Sequence, residues 1–159
     1  MQEQMLPRVV CKMLFPFIIV FALYVITHGE LGPGGGFQGG VILAAAFIVY
    51  GLIFGADELK RRVPPAVTDA LMAGGVLLYA GTGLATLLLG GNFLDYSRLN
   101  PGNPGDAEAL GMTLVEYGVG CTVASVMITL FTQITEGASG TGSAETRSPL
   151  QEAPRRKEA

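Results

Sequence analysis

His28-Gly29-Glu30-Leu31-Gly32-Pro33-Gly34-Gly35-Gly36-Phe37-Gln38-Gly39-Gly40 lies between two long apolar runs. Its position and composition decide how the rest of the chain is read. Six of the nine residues from 32 to 40 are glycine, so the backbone there can take positive φ angles and approach a neighbouring chain without Cβ obstruction. A linker between two helices does not require that. The stretch therefore reads as a close-packed turn at a membrane surface, built from Pro33, Gly34, Gly35, Gly36, Phe37, Gln38, Gly39 and Gly40.

Outward from the turn, charge is sparse: the chain is 50% hydrophobic and only 14% charged. Uncharged runs occupy 13–27, 31–56, 70–94 and 117–135. A bilayer-spanning helix needs about 20 mostly apolar residues. The runs predict four transmembrane helices, at about 7–27, 37–56, 67–90 and 109–134. Lys12 and Glu116 interrupt the first and last, but lysine can snorkel toward the headgroups. A soluble four-helix bundle would show a charged face every turn, which is missing here. The first run is not followed by a small-residue cleavage site and reads as a helix rather than a secretory leader.

Basic residues set the expected orientation. Arg8 and Lys12 precede the first span, Lys60-Arg61-Arg62 follow the second, and Arg147, Arg155, Arg156 and Lys157 follow the fourth, whereas the other two loops hold only Arg98. The positive-inside rule then puts both termini and the 57–66 loop in the cytoplasm, with the glycine turn and the 91–109 loop outside. The expected class is an all-α, multi-pass protein of the cell inner membrane: a four-helix domain over 1–136 and a disordered cytoplasmic tail over 137–159, rich in Gly, Ser, Thr, Glu and Arg. Net charge is −3 and no basic stripe with interleaved aromatics occurs, so nucleic acid is not expected as a partner. Cys11 and Cys121 fall at opposite depths, which disfavours a mutual disulfide.

Local chemistry marks the boundaries. Pro64-Pro65 stops helix continuation, Thr68 or Asp69 suits the cap of the third span, and Asn100-Pro101-Gly102-Asn103-Pro104-Gly105-Asp106 carries two turn signals leading into the fourth near Glu108. At 100° per residue, Gly40, Ala44, Gly51 and Gly55 project within about 60° of one another, a smooth stripe on which another helix should lie. Gly111, Gly118 and Ser125 share a face of the fourth span, and Glu116 lies about 140° around from Gly111. Its carboxylate and that smooth face should meet different neighbours.

Few residues could carry chemistry. Glu116 is an acidic residue set deep in apolar sequence, where an ionised carboxylate must pair, ligate a cation or take up a proton. It reads either as a stepping stone for H⁺ or a monovalent cation, or as a structural hydrogen-bonding group. His28 and Glu30, at the outward end of the first span, could join it in a polar cluster or simply hydrogen-bond at the interface. Asp69 reads mainly as a helix cap, with an ion-entry role as the alternative. The 34–39 segment formally matches the dinucleotide pattern G-x-G-x-x-G, but it separates two membrane helices where that pattern needs a strand and a soluble βαβ unit. No nucleophilic triad or metal-ligand spacing is present in the sequence, so no catalytic residue, metal or cofactor is expected.

The segment H-G-E-L-G-P-G-G-G-F-Q-G-G-V-I-L-A-A-A-F-I-V-Y-G-L-I-F, residues 28–54, resembles the MnhB/MrpB subunit family of multisubunit Na⁺/H⁺ antiporters. The likeness extends more loosely across all four spans, including Gly111-Met112-Thr113-Leu114-Val115-Glu116-Tyr117-Gly118-Val119-Gly120, where relatives commonly carry aspartate before the glycines. The resemblance implies an accessory subunit that works beside large antiporter-like subunits and other small membrane subunits, with Na⁺ and H⁺ as the transported ions. It implies that the partners bear the main proton relays while this chain supplies scaffold and part of an ion path. The alternative is the same kind of subunit in an ion-pumping membrane redox complex such as a hydrogenase.

Overall fold

In the computed structural model, which describes residues 5–29, 32, 34–100 and 102–145 and side chains as far as 138, each uncharged run forms one long helix. A backbone in hydrocarbon finds no water to bond and must close its own hydrogen-bond ladder. α1 spans Met5–Thr27, α2 Gly36–Phe54, α3 Ala56–Arg62, α4 Pro65–Leu88 and α5 Pro104–Glu145, with a 3-10 turn at Tyr96–Arg98. No strand occurs among the described residues. α1, α2, α4 and the Pro104–Ala138 part of α5 are long and apolar enough to cross a membrane, so the protein is an all-α chain with four membrane-spanning helices.

The ends of these helices follow local chemistry, in four places differently from the sequence reading. α2 stops at Phe54 because Gly55 adopts φ 98, a left-handed conformation suited to glycine; the chain restarts at once as α3, which buries Leu59. Thr68 and Asp69 do not cap α4. Pro64 holds the cap position and Pro65 the first turn, where its missing N–H is one fewer donor to satisfy, and the Thr68 hydroxyl donates to the Pro65 carbonyl at 2.8 Å. α5 begins at Pro104, ahead of Glu108, with the Asn103 side-chain amide donating to the Asp106 carboxylate at 2.6 Å. It also continues through Glu145, so 137–145 is helical where a disordered tail is expected. Adding residues to an existing helix needs no new nucleus, and no proline intervenes before Pro149. The rest of that expected tail, 146–159, lies outside the described residues.

α5 is the spine. It packs against α2 and α4 and touches α1, while α1 and α2 form an antiparallel hairpin. Two glycines make this double role possible. Gly118 and Gly120 lie about 200° apart around the helix, so each lets a different neighbour approach. A Cβ on Gly118 would sit 2.8 Å from the Gly75 carbonyl oxygen of α4, and one on Gly120 would sit 3.2 Å from the Gly36 carbonyl oxygen of α2.

The loop after α4 folds back over its end. The Thr86 hydroxyl donates to the Gly83 carbonyl at 2.8 Å and accepts the Leu94 amide at 3.0 Å. Phe93 fills the space over Gly83, and the Tyr96 ring lies over Gly111. Burial pushes the Tyr96 phenol pKa above its usual value, with Tyr79 adding to the effect. At the opposite end Cys11, Tyr50 and Leu59 form an apolar cluster with Phe15 and Phe131 around it. Cys11 and Cys121 are both free thiols.

The α4–α5 contact yields a matched test. A Cβ at Gly75 would overlap the Thr122 hydroxyl and the Gly118 carbonyl, whereas one at Gly74 would meet nothing within 4 Å among the described residues. Gly75→Ala should destabilise the detergent-solubilised chain by about 1–3 kcal/mol through overpacking. Gly74→Ala should be neutral or mildly stabilising, since alanine is the better helix former. Thermal melts followed by circular dichroism check the pair; equal melting of the two variants would refute backbone-close packing of α4 on α5.

Candidate functional site

α1 ends at Thr27 and α2 begins at Gly36, and of the described residues between them Gly29 and Gly35 lie beside Glu116 of α5. Glycine turns this proximity into contact. Gly36 is backed against the main chain of Glu116, where any Cβ would overlap the Glu116 carbonyl, and four residues on, Gly40 lies against the Gly120 carbonyl in the same way. Equal spacing on both helices, 36 to 40 and 116 to 120, keeps the two backbones in register for a full turn. Gly39 faces the other way, onto Ile26 and the Ala22 carbonyl of α1. The first turn of α2 is thereby gripped on two sides.

The Glu116 side chain reaches into this turn. Its carboxylate lies beside Gly29 and Gly35: a Cβ on Gly29 would overlap Oε1, and one on Gly35 would sit 3.3 Å from it. Gly35 itself has φ 120, and its amide donates to the Val25 carbonyl of α1 at 3.3 Å. The carboxylate is partly buried, with the main chain of Gly29 and Gly35 beside it. Main chain so placed offers peptide dipoles to an ionised group and leaves little room for that group to swing away.

The candidates from the sequence separate here. His28 is exposed; its ring stacks on Tyr24 at 4.2 Å between centroids, and Nδ1 lies 3.2 Å from the Thr27 hydroxyl. The contact with Glu116 comes instead from the next residue, Gly29. Glu30 and Pro33 lie outside the described residues. Gly34 packs on Val25 of α1. Phe37 is 64% exposed and Gln38 is exposed, whereas Gly35, Gly36, Gly39 and Gly40 are buried. Phe37 is not anchored against the chain's own helices.

Of the stripe residues, Gly40 meets α5, Ala44 is fully buried, and Gly51 sits between Phe131 of α5 and Leu59 of α3. Gly55 does not belong with them: among the described residues nothing lies within 4 Å of the space its Cβ would fill, because the left-handed turn has taken it out of the helix. Gly111 meets Tyr96 and Gly118 meets Gly75, so Glu116 and that face of α5 have different neighbours. Ile26, 4% exposed, was missed although it forms the knob between Gly39 and Gly120; an isoleucine within an apolar helix carries no signal of its own. Asp69 stands at the far end of the bundle, where with Thr129 and the Lys60–Glu136 ion pair it lines a cavity of about 160 Å³. No cluster of three or more His, Cys, Asp or Glu residues suited to a metal occurs among the described residues.

Comparison with known proteins bears on this arrangement. A family described as "Domain related to MnhB subunit of Na+/H+ antiporter" matches residues 6–129, a range that includes the glycine turn and Glu116. The chain is 32% identical over 134 residues to the "Putative antiporter subunit mnhB2" of Staphylococcus haemolyticus, covering 83% of this chain and 94% of that protein. A protein of the same name from Staphylococcus epidermidis is 33% identical over 132 residues, 82% of this chain and 93% of the relative. Another from Staphylococcus aureus strain Newman is 31% identical over 134 residues, 83% and 94% respectively. The chain belongs to the MnhB family.

The turn gives its own prediction. Gly35→Ala places a side chain at a positive φ facing the Glu116 carboxylate, which should cost about 1–3 kcal/mol. Gly32→Ala, with the His28 carbonyl 3.9 Å away and no nearer group among the described residues, should change stability little. Equal thermal stability of the two variants would show that the turn does not hold the geometry described.

Proposed function

We propose that this MnhB-family chain acts as an accessory subunit of a multisubunit Na⁺/H⁺ antiporter in the cell membrane, inactive alone and coupled to ion exchange through partner subunits. The family match across 6–129 carries the reading, since it covers both the four spans and the turn around Glu116. The surface of the bundle supports it. Only 17% of the most apolar window of α1 is buried within the chain, and α4 packs chiefly on α5. Wide apolar faces remain for lipid and for neighbouring subunits.

The same reading assigns orientation and an ionic role. Arg8 and Lys12 lie over Phe54, Arg62 lies over Tyr50, and Lys60 pairs with Glu136, so the basic residues of α1 and α3 gather at one end of the bundle. That end faces the cytoplasm by the positive-inside rule, and the glycine turn faces outward. Glu116 contributes to the ion route as a titratable carboxylate at membrane depth, held against main chain so that a proton or monovalent cation can be exchanged at a fixed position. Intramembrane carboxylates are costly enough that a functional role is the default expectation. The large antiporter-like partners bear the remaining relays.

Proteoliposomes holding this chain alone should show no Na⁺/H⁺ exchange, and those holding the assembled complex should. Exchange by the isolated chain would make it an autonomous carrier. Glu116→Gln, nearly isosteric, should leave complex assembly intact and lower exchange severalfold. An assembled Gln variant with normal exchange across pH would reduce Glu116 to a structural group without disturbing the subunit assignment.

A further inference from the structure

At the end of the bundle where α1 begins, two positive charges converge on one aromatic ring. The Arg8 guanidinium lies 5.8 Å and the Lys12 ammonium 5.5 Å from the centre of the Phe54 ring, which itself stacks on Tyr50 at 4.5 Å. Arg62 sits over Tyr50 at 5.3 Å, but it has a carboxylate partner in Glu58. Among the described residues neither Arg8 nor Lys12 has a carboxylate within ion-pair distance. A ring quadrupole attracts a cation without cancelling its charge. Both side chains are exposed, so two uncompensated charges stand one helical turn apart at the membrane boundary.

Directly beside them the surface changes character. Pro7, Arg8, Leu52 and Ile53 line a mouth of about 210 Å³. Pro7 and Ile53 also line an apolar furrow of about 180 Å³ that runs on between α1 and α2, with Val10, Leu14, Ala46 and Val49 among its walls. The basic mouth and the furrow are thus continuous. The furrow opens on the outer face of the hairpin, where Val10, Leu14 and Val49 are exposed. Arg8 stands in the mouth and Lys12, outside its lining, lies over the same Phe54 ring one helical turn along; cationic charge at headgroup level beside an apolar channel at chain depth has the complementarity of one class of molecule.

We propose that this site binds an anionic phospholipid, its phosphate held by Arg8 and Lys12 and one acyl chain laid in the furrow between α1 and α2. Arginine and lysine near the membrane surface favour anionic over zwitterionic headgroups, and charge-assisted contacts to phosphate oxygens give the position its selectivity. The furrow supplies what a bare basic patch lacks, a seat for the chain that fixes where along the helix the lipid stays. The site does not depend on the role assigned to Glu116, which lies at the other end of the bundle.

The test uses the full chain in detergent, incubated with equimolar long-chain phosphatidylglycerol and phosphatidylcholine, with retained lipid counted by native mass spectrometry. Wild type should retain phosphatidylglycerol over phosphatidylcholine by about tenfold. The double variant R8Q/K12Q should lose that preference; both side chains are exposed, so the fold should survive, and circular dichroism checks it. V49W, which fills the furrow and keeps both charges, should release the long-chain lipid while still binding dihexanoyl-phosphatidylglycerol. R98Q, at the opposite end, should behave as wild type. Equal retention of the two lipids, a preference that survives R8Q/K12Q, a loss in R98Q as large as in that double variant, or a V49W variant that holds long-chain lipid normally would each overturn the proposal. Retention blind to headgroup charge would leave the furrow to another occupant, such as a helix of a neighbouring subunit.

Discussion

Main chain lying directly on main chain is the contact on which this structure rests. Lipid tails are as apolar as leucine, so burying leucine between helices gains little in a bilayer, and association must come from close van der Waals fit. Glycine allows the closest fit. Gly36 and Gly40 bring α2 onto α5 at Glu116 and Gly120, and Gly75 and Gly118 bring α4 onto the other side of α5. Remove the closeness at these four places and α5 ceases to be a shared wall.

The position of the carboxylate follows from this geometry. Glu116 occupies the turn of α5 that α2 presses against, and its side chain can enter the α1–α2 turn only because Gly29 and Gly35 leave the space open. Gly36 and Gly40 thus set the backbone contact, while Gly29 and Gly35 leave the space for the carboxylate. Hydroxyl groups are handled with the same economy of space: Thr82, Thr113, Thr122 and Ser125 each donate to a carbonyl one turn back on their own helix, which hides them without demanding a partner helix. Among the described residues Thr129 Oγ1 is the buried hydroxyl without a partner, and it lies at the cavity beside Lys60 and Glu136.

Much of the architecture was legible in the sequence because the signals were long. Uncharged runs of membrane length need no tertiary context, and the angular arithmetic that set Glu116 apart from Gly111 and Gly118 depends only on helix periodicity. The differences depend on single residues, and in the tail on composition. Gly55 fits the angular stripe perfectly as long as the helix is assumed to continue, and one positive φ removes it. Thr68 and Asp69 look like caps until Pro65 takes the first turn. The onset of the tail at 137 was read from polar composition, which says nothing about a helix already under way. Topology brings His28 toward Glu116, but its ring stacks on Tyr24 of the same chain segment, and Gly29 beside it makes the contact instead. Gly75 gave only a weak hint in the Gly74-Gly75 pair, since sequence alone could not tell which of the two faced α5.

A surface fitted by glycine is also one-sided in what change it can absorb. At a leucine, missense change can add or subtract volume, and some replacements repack. At Gly36, Gly39, Gly40 and Gly75 every possible missense codon adds atoms to a space already closed by a neighbouring peptide group. Mutational drift at these positions has no conservative direction, so compensation has to come from withdrawal of the opposing helix as a whole.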